Sequence, residues 1–284
     1  MKDKAIGVFD SGVGGLTVVR SIIDILPEED IIYLGDDARG PYGPRELDEV
    51  RKFAREIIEF LLGFGVKVIV IACNTATAAA IEIVQSEYDI PIIGVIKPGV
   101  RAALRKTRTK RIGVIGTVGT INSGAYERVI GEIDPEVIVV SRACPEFVDF
   151  VERNETHGSR IEKIARSYLE PMVTQGIDTL VLGCTHYPLL EDLITDVVGP
   201  GISLISSAEE TAVEVGEILD SLGWKRRPDN RSSLMFLTTG DVQKCRELGR
   251  MFLGPEVEDV IKVRVGEPAL EIIEHFEQMK GRKA

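Results

Sequence analysis

The chain has 284 residues, 44% hydrophobic and 28% charged, which excludes disorder and low complexity and provides core for one large or two modest domains. Its 34 Lys and Arg against 45 Asp and Glu give a formal charge of −11, which argues against broad nucleic-acid binding but not against a small local anion site. No apolar run approaches the roughly 20 residues of a membrane span, so no membrane partner is expected.

In chain order, a strand is predicted at Ala5–Phe9 and a helix at Gly14–Leu26. A strand at Asp30–Leu34 precedes a helix at Arg45–Leu62. Then come a strand at Lys67–Ala72, a helix at Ala76–Tyr88, a strand at Pro91–Val95 and a helix at Gly99–Lys106. The next pairs are Arg111–Gly116 with Ser123–Glu132, Val137–Ser141 with Ile161–Gln175, and Thr179–Gly183 with Pro188–Val197. Ser203–Ile205 with Ala208–Leu222, Leu234–Thr238 with Val242–Phe252, and Val260–Val265 with Pro268–Met279 complete the series. Several strands are apolar on both faces, as a helix-covered parallel sheet requires. The regular alternation predicts an α/β fold.

An internal repeat is visible. Ala5-Ile6-Gly7-Val8 recurs as Arg111-Ile112-Gly113-Val114, and the run Lys67 to Thr75 recurs as Asp178 to His186. Both copies of the longer run carry a cysteine, Cys73 and Cys184, just past the strand. This predicts two similar parallel-sheet domains, with the ligand cleft between them. The first would comprise residues 1–97 plus 207–284, and the second residues 98–206. The basic run Arg101 to Arg111 near the boundary could be an anion site or a solvated helix face.

Four clusters fall past strand ends, where ligands bind in open α/β sheets. Asp10-Ser11-Gly12-Val13-Gly14-Gly15 resembles a dinucleotide loop but fails its spacing, since the last position is Thr17. Its glycines and helix N-terminus still suit a carboxylate or phosphate, and Asp10 reads either as a helix cap or as a catalytic group. Gly40-Pro41-Tyr42-Gly43-Pro44 reads as a turn whose amides could hold a carboxylate. Cys73-Asn74-Thr75 and Gly183-Cys184-Thr185-His186 each place a thiol between a buried strand and a helix, where a helix N-terminus favours thiolate. Their polar neighbours set these two apart from Cys144 and Cys245, which read as small buried hydrophobes. Cys184 and His186 lack the partners for a zinc set, so no metal is expected. Met1 to Phe9 is too short for a signal peptide, so a cytoplasmic location with reduced thiols is expected.

Taken together, Asp10-Ser11-Gly12-Val13-Gly14-Gly15, Pro41-Tyr42-Gly43, Cys73-Asn74-Thr75-Ala76, Gly116-Thr117 with Thr120, and Gly183-Cys184-Thr185-His186-Tyr187-Pro188-Leu189 closely resemble the glutamate racemases of the aspartate/glutamate racemase family. The resemblance covers residues 10 to 189; no motif after about residue 210 takes part. It implies a cofactor-independent isomerase that makes D-glutamate for peptidoglycan, with glutamate as its small-molecule partner and a homodimeric assembly. It further implies Cys73 and Cys184 as the two acid/bases, with Asp10 beside the first and His186 and Glu152 beside the second. Ser11, Pro41, Tyr42, Gly43, Asn74, Thr75, Thr117, Thr120 and Thr185 match substrate-binding positions, as do Asp10 and His186. Asp37 stands where the family pattern has a smaller polar residue.

The chemistry is consistent with two thiols. Racemisation removes a weakly acidic α-proton and returns one to the opposite face, so a group is needed on each side, one starting as thiolate and the other as thiol. Three other readings remain: a racemase for aspartate or a related acid, a pyridoxal-phosphate isomerase using Lys67 or Lys97, and a non-catalytic thiol or anion-binding protein.

Overall fold

A computed structural model describes residues 1–227 and 232–281. Two parallel sheets form its frame. The first has six strands: β1 (Ile6–Asp10), β2 (Ile31–Gly35), β3 (Val68–Ile71), β4 (Ile92–Gly94), β9 (Leu234–Thr238) and β10 (Val260–Lys262), in the order β10-β9-β2-β1-β3-β4. The second has four: β5 (Arg111–Gly116), β6 (Ile138–Ala143), β7 (Thr179–Gly183) and β8 (Ser203–Ile205), in the order β6-β5-β7-β8.

The order β2-β1-β3-β4 in the first sheet matches β6-β5-β7-β8 in the second. The register matches too. Gly7 pairs with Ile69, and its repeat counterpart Gly113 pairs with Leu180. The faint sequence repeat is therefore a repeat of topology and register.

Buried strands alternate between two cores, as the two-residue period of a pleated strand demands. Val68 and Val70 of β3 face one cluster while Ile69 and Ile71 face another. The first of these clusters also takes in Leu180 and Leu182 of β7, so one apolar layer runs through both sheets. Two helices carry the chain between the sheets. α4 (Ile96–Lys106) covers the predicted helix Gly99–Lys106 and the start of the basic run, and α10 (Ser207–Ser221) packs beside it. Arg101 pairs with Glu214 and Arg105 with Glu210 at 2.5 Å, so these two cations bind a neighbouring helix. The helices approach closely at Gly99, where a first side-chain carbon would lie 3.1 Å from Ser207 Cβ.

The segment after α10 returns to the first sheet. β9 lies parallel to β2, from Ile31 opposite Leu234 to Gly35 opposite Thr238, and β10 lies outside it. Two short helices had no counterpart among the predicted elements: α5 (Val118–Asn122) and α7 (Glu146–Glu152). Both border the cleft. No helix among the described residues is long and apolar enough to cross a membrane.

Candidate active site

The carboxyl ends of β1 and β3 face those of β5 and β7 across a cavity of about 240 Å³. That is below the roughly 300–1,000 Å³ of sites for drug-sized ligands and suits a metabolite of amino-acid size. From the first sheet, Ser11, Pro41, Tyr42, Gly43, Cys73, Asn74 and Thr75 line it. From the second come Thr117, Glu152, Cys184, Thr185 and His186. Two of the expected residues stand behind the wall, Asp10 and Thr120.

Cys73 follows β3 and is the N-cap of α3 (Asn74–Glu87), its Sγ accepting from the Ala76 amide at 3.5 Å. Its thiol donates toward Ser11 Oγ at 3.8 Å. Burial pushes the Cys73 thiol up to about 12, the Asp10 charge adds to this, and the Ala76 and Ser11 bonds only partly oppose it. Cys184 is followed by a short 3-10 turn, Tyr187–Leu190, before α9 (Glu191–Val198) begins. Its Sγ lies 3.9 Å from His186 Nδ1. Burial raises this thiol further above its ordinary value, with Asp10 and Cys73 adding to it against the amides of His186 and Tyr187. The amides past each strand end do favour thiolate, as expected, but burial opposes them more strongly. Desolvation of the buried sulfurs outweighs the amides and holds both groups toward the thiol form.

Asp10 is not the N-cap of α1 (Leu16–Ile25), a place taken by Gly15, but its Oδ2 accepts from the Gly15 amide at 3.0 Å. Its buried Oδ1 has no hydrogen-bond partner. Burial raises the Asp10 carboxyl, while the nearby His186 charge and the Gly15, Ser11 and Gly12 amides pull it back. His186 is itself lowered by burial, against the pull of Asp10 and Glu152. Its Nε2 lies 3.8 Å from Glu152 Oε1, too far for a hydrogen bond, and has no other partner.

The glycine loop serves close approach of the two halves. A side-chain carbon at Gly14 would stand 2.4 Å from Thr185 Oγ1 and 2.7 Å from His186 Nδ1. At Gly15 it would meet Asp10 Cβ at 2.6 Å. Gly14 therefore admits the Thr185-His186 segment rather than forming a phosphate cradle. A second crossing runs from the Gly119 amide to the Gly43 carbonyl at 2.8 Å. Around it Thr75, Thr117 and Thr120 form a triangle of hydroxyls at 2.8, 3.0 and 3.1 Å. Thr120, behind the wall, thus bonds the two threonines that line the cavity.

Tyr42 departs from a simple contact role. Its hydroxyl donates to Asp36, which also accepts from Arg39 Nε at 2.7 Å and from Thr239 Oγ1 at 2.9 Å. Asp37 does not reach the cavity wall. It accepts from Thr238 Oγ1 at 2.5 Å and ties the loop after β2 to β9.

Several site residues carried no readable signal. Val148 and Asp149 of α7 and Val118 of α5 line the cavity. The Phe147-Val148 and Phe150-Val151 pairs after Pro145 were the available hint of a helix there. From α11 (Val242–Leu253), Phe252 stacks edge-on against His186 at 5.6 Å and Lys244 reaches Glu152 at 3.3 Å. Nothing local marked either. Among the described residues lining the cavity there is no Lys or Arg. Lys67 lies at the opposite end of β3, where its buried ammonium meets Glu29 and the Lys2 and Trp224 carbonyls, and Lys97 is exposed on α4. The pyridoxal-phosphate reading loses both its candidate lysines on placement.

Comparison with known proteins agrees with this geometry. The family model described as Asp/Glu/Hydantoin racemase matches residues 6–215. A glutamate racemase of Corynebacterium glutamicum is 52% identical over 260 residues, covering 91% of this chain and 95% of that protein. Among solved structures, a glutamate racemase isoform from Bacillus anthracis superposes with a TM-score of 0.90 at 45% identity, covering 93% of this chain and 99% of the other. A Francisella tularensis glutamate racemase in complex with D-glutamate gives 0.88 at 37% identity, covering 94% and 99%. The repeated sheets, the paired strand-end thiols and these matches agree: the chain belongs to the Asp/Glu/hydantoin racemase family, a family of isomerases.

Proposed function

We propose that the protein interconverts L- and D-glutamate without a cofactor, Cys73 and Cys184 serving as the two proton-transfer groups. The observation that carries this reading is the placement of two buried thiols at matched ends of β3 and β7, on opposite walls of one amino-acid-sized cavity. The glutamate racemases among its relatives support the choice of substrate.

Each turnover needs one thiolate and one thiol. Both resting thiols are raised by burial, so ionising one depends on an acceptor nearby. On the Cys73 side the buried Asp10 carboxylate, close enough for its charge to act on the thiol and with Oδ1 unpaired, is the candidate acceptor. On the Cys184 side His186, whose Nδ1 lies 3.9 Å from the thiol and whose basicity burial lowers, is the candidate proton acceptor. The thiolate removes the α-proton and the opposite thiol protonates the other face. Reversing the substrate's hand reverses the roles.

The two carboxylates are held by neutral donors. Ser11, Asn74 and Thr75 on one wall and Thr117 and Thr185 on the other supply hydroxyls and an amide where no ammonium or guanidinium lines the cavity. In a water-poor site such donors stabilise developing charge without having to reorganise. Glu152 completes the His186 side.

The test is circular dichroism of purified protein with L-glutamate and no additive. Loss of signal to the racemic endpoint is expected. Turnover of aspartate in preference to glutamate would move the protein to the other substrate on the same scaffold, and no chirality change with any amino acid would leave a non-catalytic thiol protein. The product's place is in peptidoglycan: cells depleted of the protein should stop wall growth unless D-glutamate is supplied.

A further inference from the structure

Tyr126 of α6 (Ala125–Ile133) is fully buried and belongs to neither catalytic cluster. Its hydroxyl donates to Asn74 Oδ1 at 2.7 Å. Its ring lies against Gly183, where a side-chain carbon would stand 3.1 Å from Cε2. Tyr126 thus touches the residue just before Cys184 and bonds the residue just after Cys73. It is a second-sheet side chain anchored to the first sheet's half of the site.

The consequence for Asn74 is chemical. An Asn side chain carries one acceptor oxygen and one donor nitrogen, and in an open cavity it can present either. With Oδ1 held by Tyr126, the amide nitrogen is the part left for the cavity that Asn74 lines. A carboxylate ligand needs donors, and among the described residues lining this cavity there is no Lys or Arg. We propose that Tyr126 is a positioning residue: it locks the Asn74 amide so that its NH₂ donates to a carboxylate of the substrate. The inference rests on the amino-acid racemase reading above. The burial of the tyrosine, which raises its hydroxyl well above the ordinary value, keeps it a donor throughout the working pH range.

The experiment is a double-mutant cycle read by racemisation kinetics. Wild-type turnover of glutamate is measured first, since its absence defeats the functional reading and not this one. Tyr126→Phe keeps the ring against Gly183 and frees the amide. It is expected to raise KM for both enantiomers roughly tenfold, the scale of one hydrogen bond to a charged group, with kcat changed less than about threefold. Asn74→Ala should raise KM by at least as much. Adding Tyr126→Phe to Asn74→Ala should then change KM by less than about twofold, because the tyrosine acts only through the lost amide. Asn74→Asp retains an acceptor for Tyr126 and lacks the donor, and should bind glutamate no better than Asn74→Ala. An unchanged KM in Tyr126→Phe, an equal rise in the Asn74→Ala background, or wild-type binding by Asn74→Asp would each overturn the proposal.

Discussion

The two halves of the cleft share topology and register but are equipped differently. Beside Cys73 the neighbouring ionisable group is a carboxylate, Asp10, set behind the cavity wall and bonded to the start of α1. Around Cys184 it is an imidazole, His186, set in the wall and backed by Glu152 and Phe252. Cys73 caps a 14-residue helix, whereas Cys184 opens onto a short 3-10 turn. A duplicated frame thus delivers two thiols to equivalent places with different neighbours. Under the proposed mechanism, the symmetry the reaction requires lies in the position of the two thiols, not in their surroundings.

The comparison is broken most severely at the thiols. Cys73→Ala and Cys184→Ala should each reduce racemisation to background with circular dichroism of the fold unchanged, and serine at either place should be nearly as poor, an alcohol being a much weaker acid. Next come the supporting groups. Asp10→Asn and His186→Asn should lower kcat by about 10²–10⁴-fold, the ordinary scale of general acid–base assistance, with a smaller change in KM. The enantiomers have equal free energy, so kcat/KM must remain equal in both directions. The two variants should therefore differ from each other in individual kcat and KM values and in α-deuterium isotope effects. Because burial holds both thiols high, kcat/KM for the wild type should rise across about pH 7 to 9 as the thiolate fraction grows. A flat profile there would show that the thiolate is already formed in the free enzyme.

Gly14 tests the contact between the halves. Gly14→Ala forces a carbon into Thr185 and His186, and overpacking of this kind costs about 1–3 kcal/mol in denaturant unfolding. Its activity loss should exceed that of Gly131→Ala, where no atom lies within 4 Å. Phe252→Leu removes the edge-on contact to His186, worth about 0.5–1.5 kcal/mol, and should shift the acid limb of the pH profile with little change in KM. The smallest effects belong to Cys144→Ala and Cys245→Ala. Both thiols are buried outside the cavity wall, and both variants should stay active with at most a modest fall in melting temperature.

How much of this was legible in the sequence follows from range. Strands such as β3 and β7 were readable because each is a short apolar run buried on both faces. Cys73, Cys184 and their polar neighbours were readable because the groups a strand end presents are contiguous in the chain. The short helix α7 was not, since seven residues give too little periodicity, and yet it places Val148, Asp149 and Glu152 at the cavity. Neither Phe252 nor Lys244 had any local mark; they reach the site because β9 docks beside β2, a pairing no short-range pattern encodes. The ionisation of the thiols was also beyond the sequence. Helix position argued for thiolate, and the degree of burial, a property of the assembled fold, decides for thiol.

The central claim is one proton-transfer group per face, and isotope labelling at early conversion tests it most directly. L-Glutamate is turned over in D₂O to a few per cent, the enantiomers are separated, and each is weighed by mass spectrometry. Thiols of the free enzyme exchange with solvent, so the donor carries deuterium while the opposite base takes the substrate's protium. Newly formed D-glutamate should carry solvent deuterium at the α-carbon, and the remaining L-glutamate should stay largely unlabelled. Substantial protium in the new D-glutamate, or deuterium entering the L pool as fast as product forms, would contradict separate roles for Cys73 and Cys184.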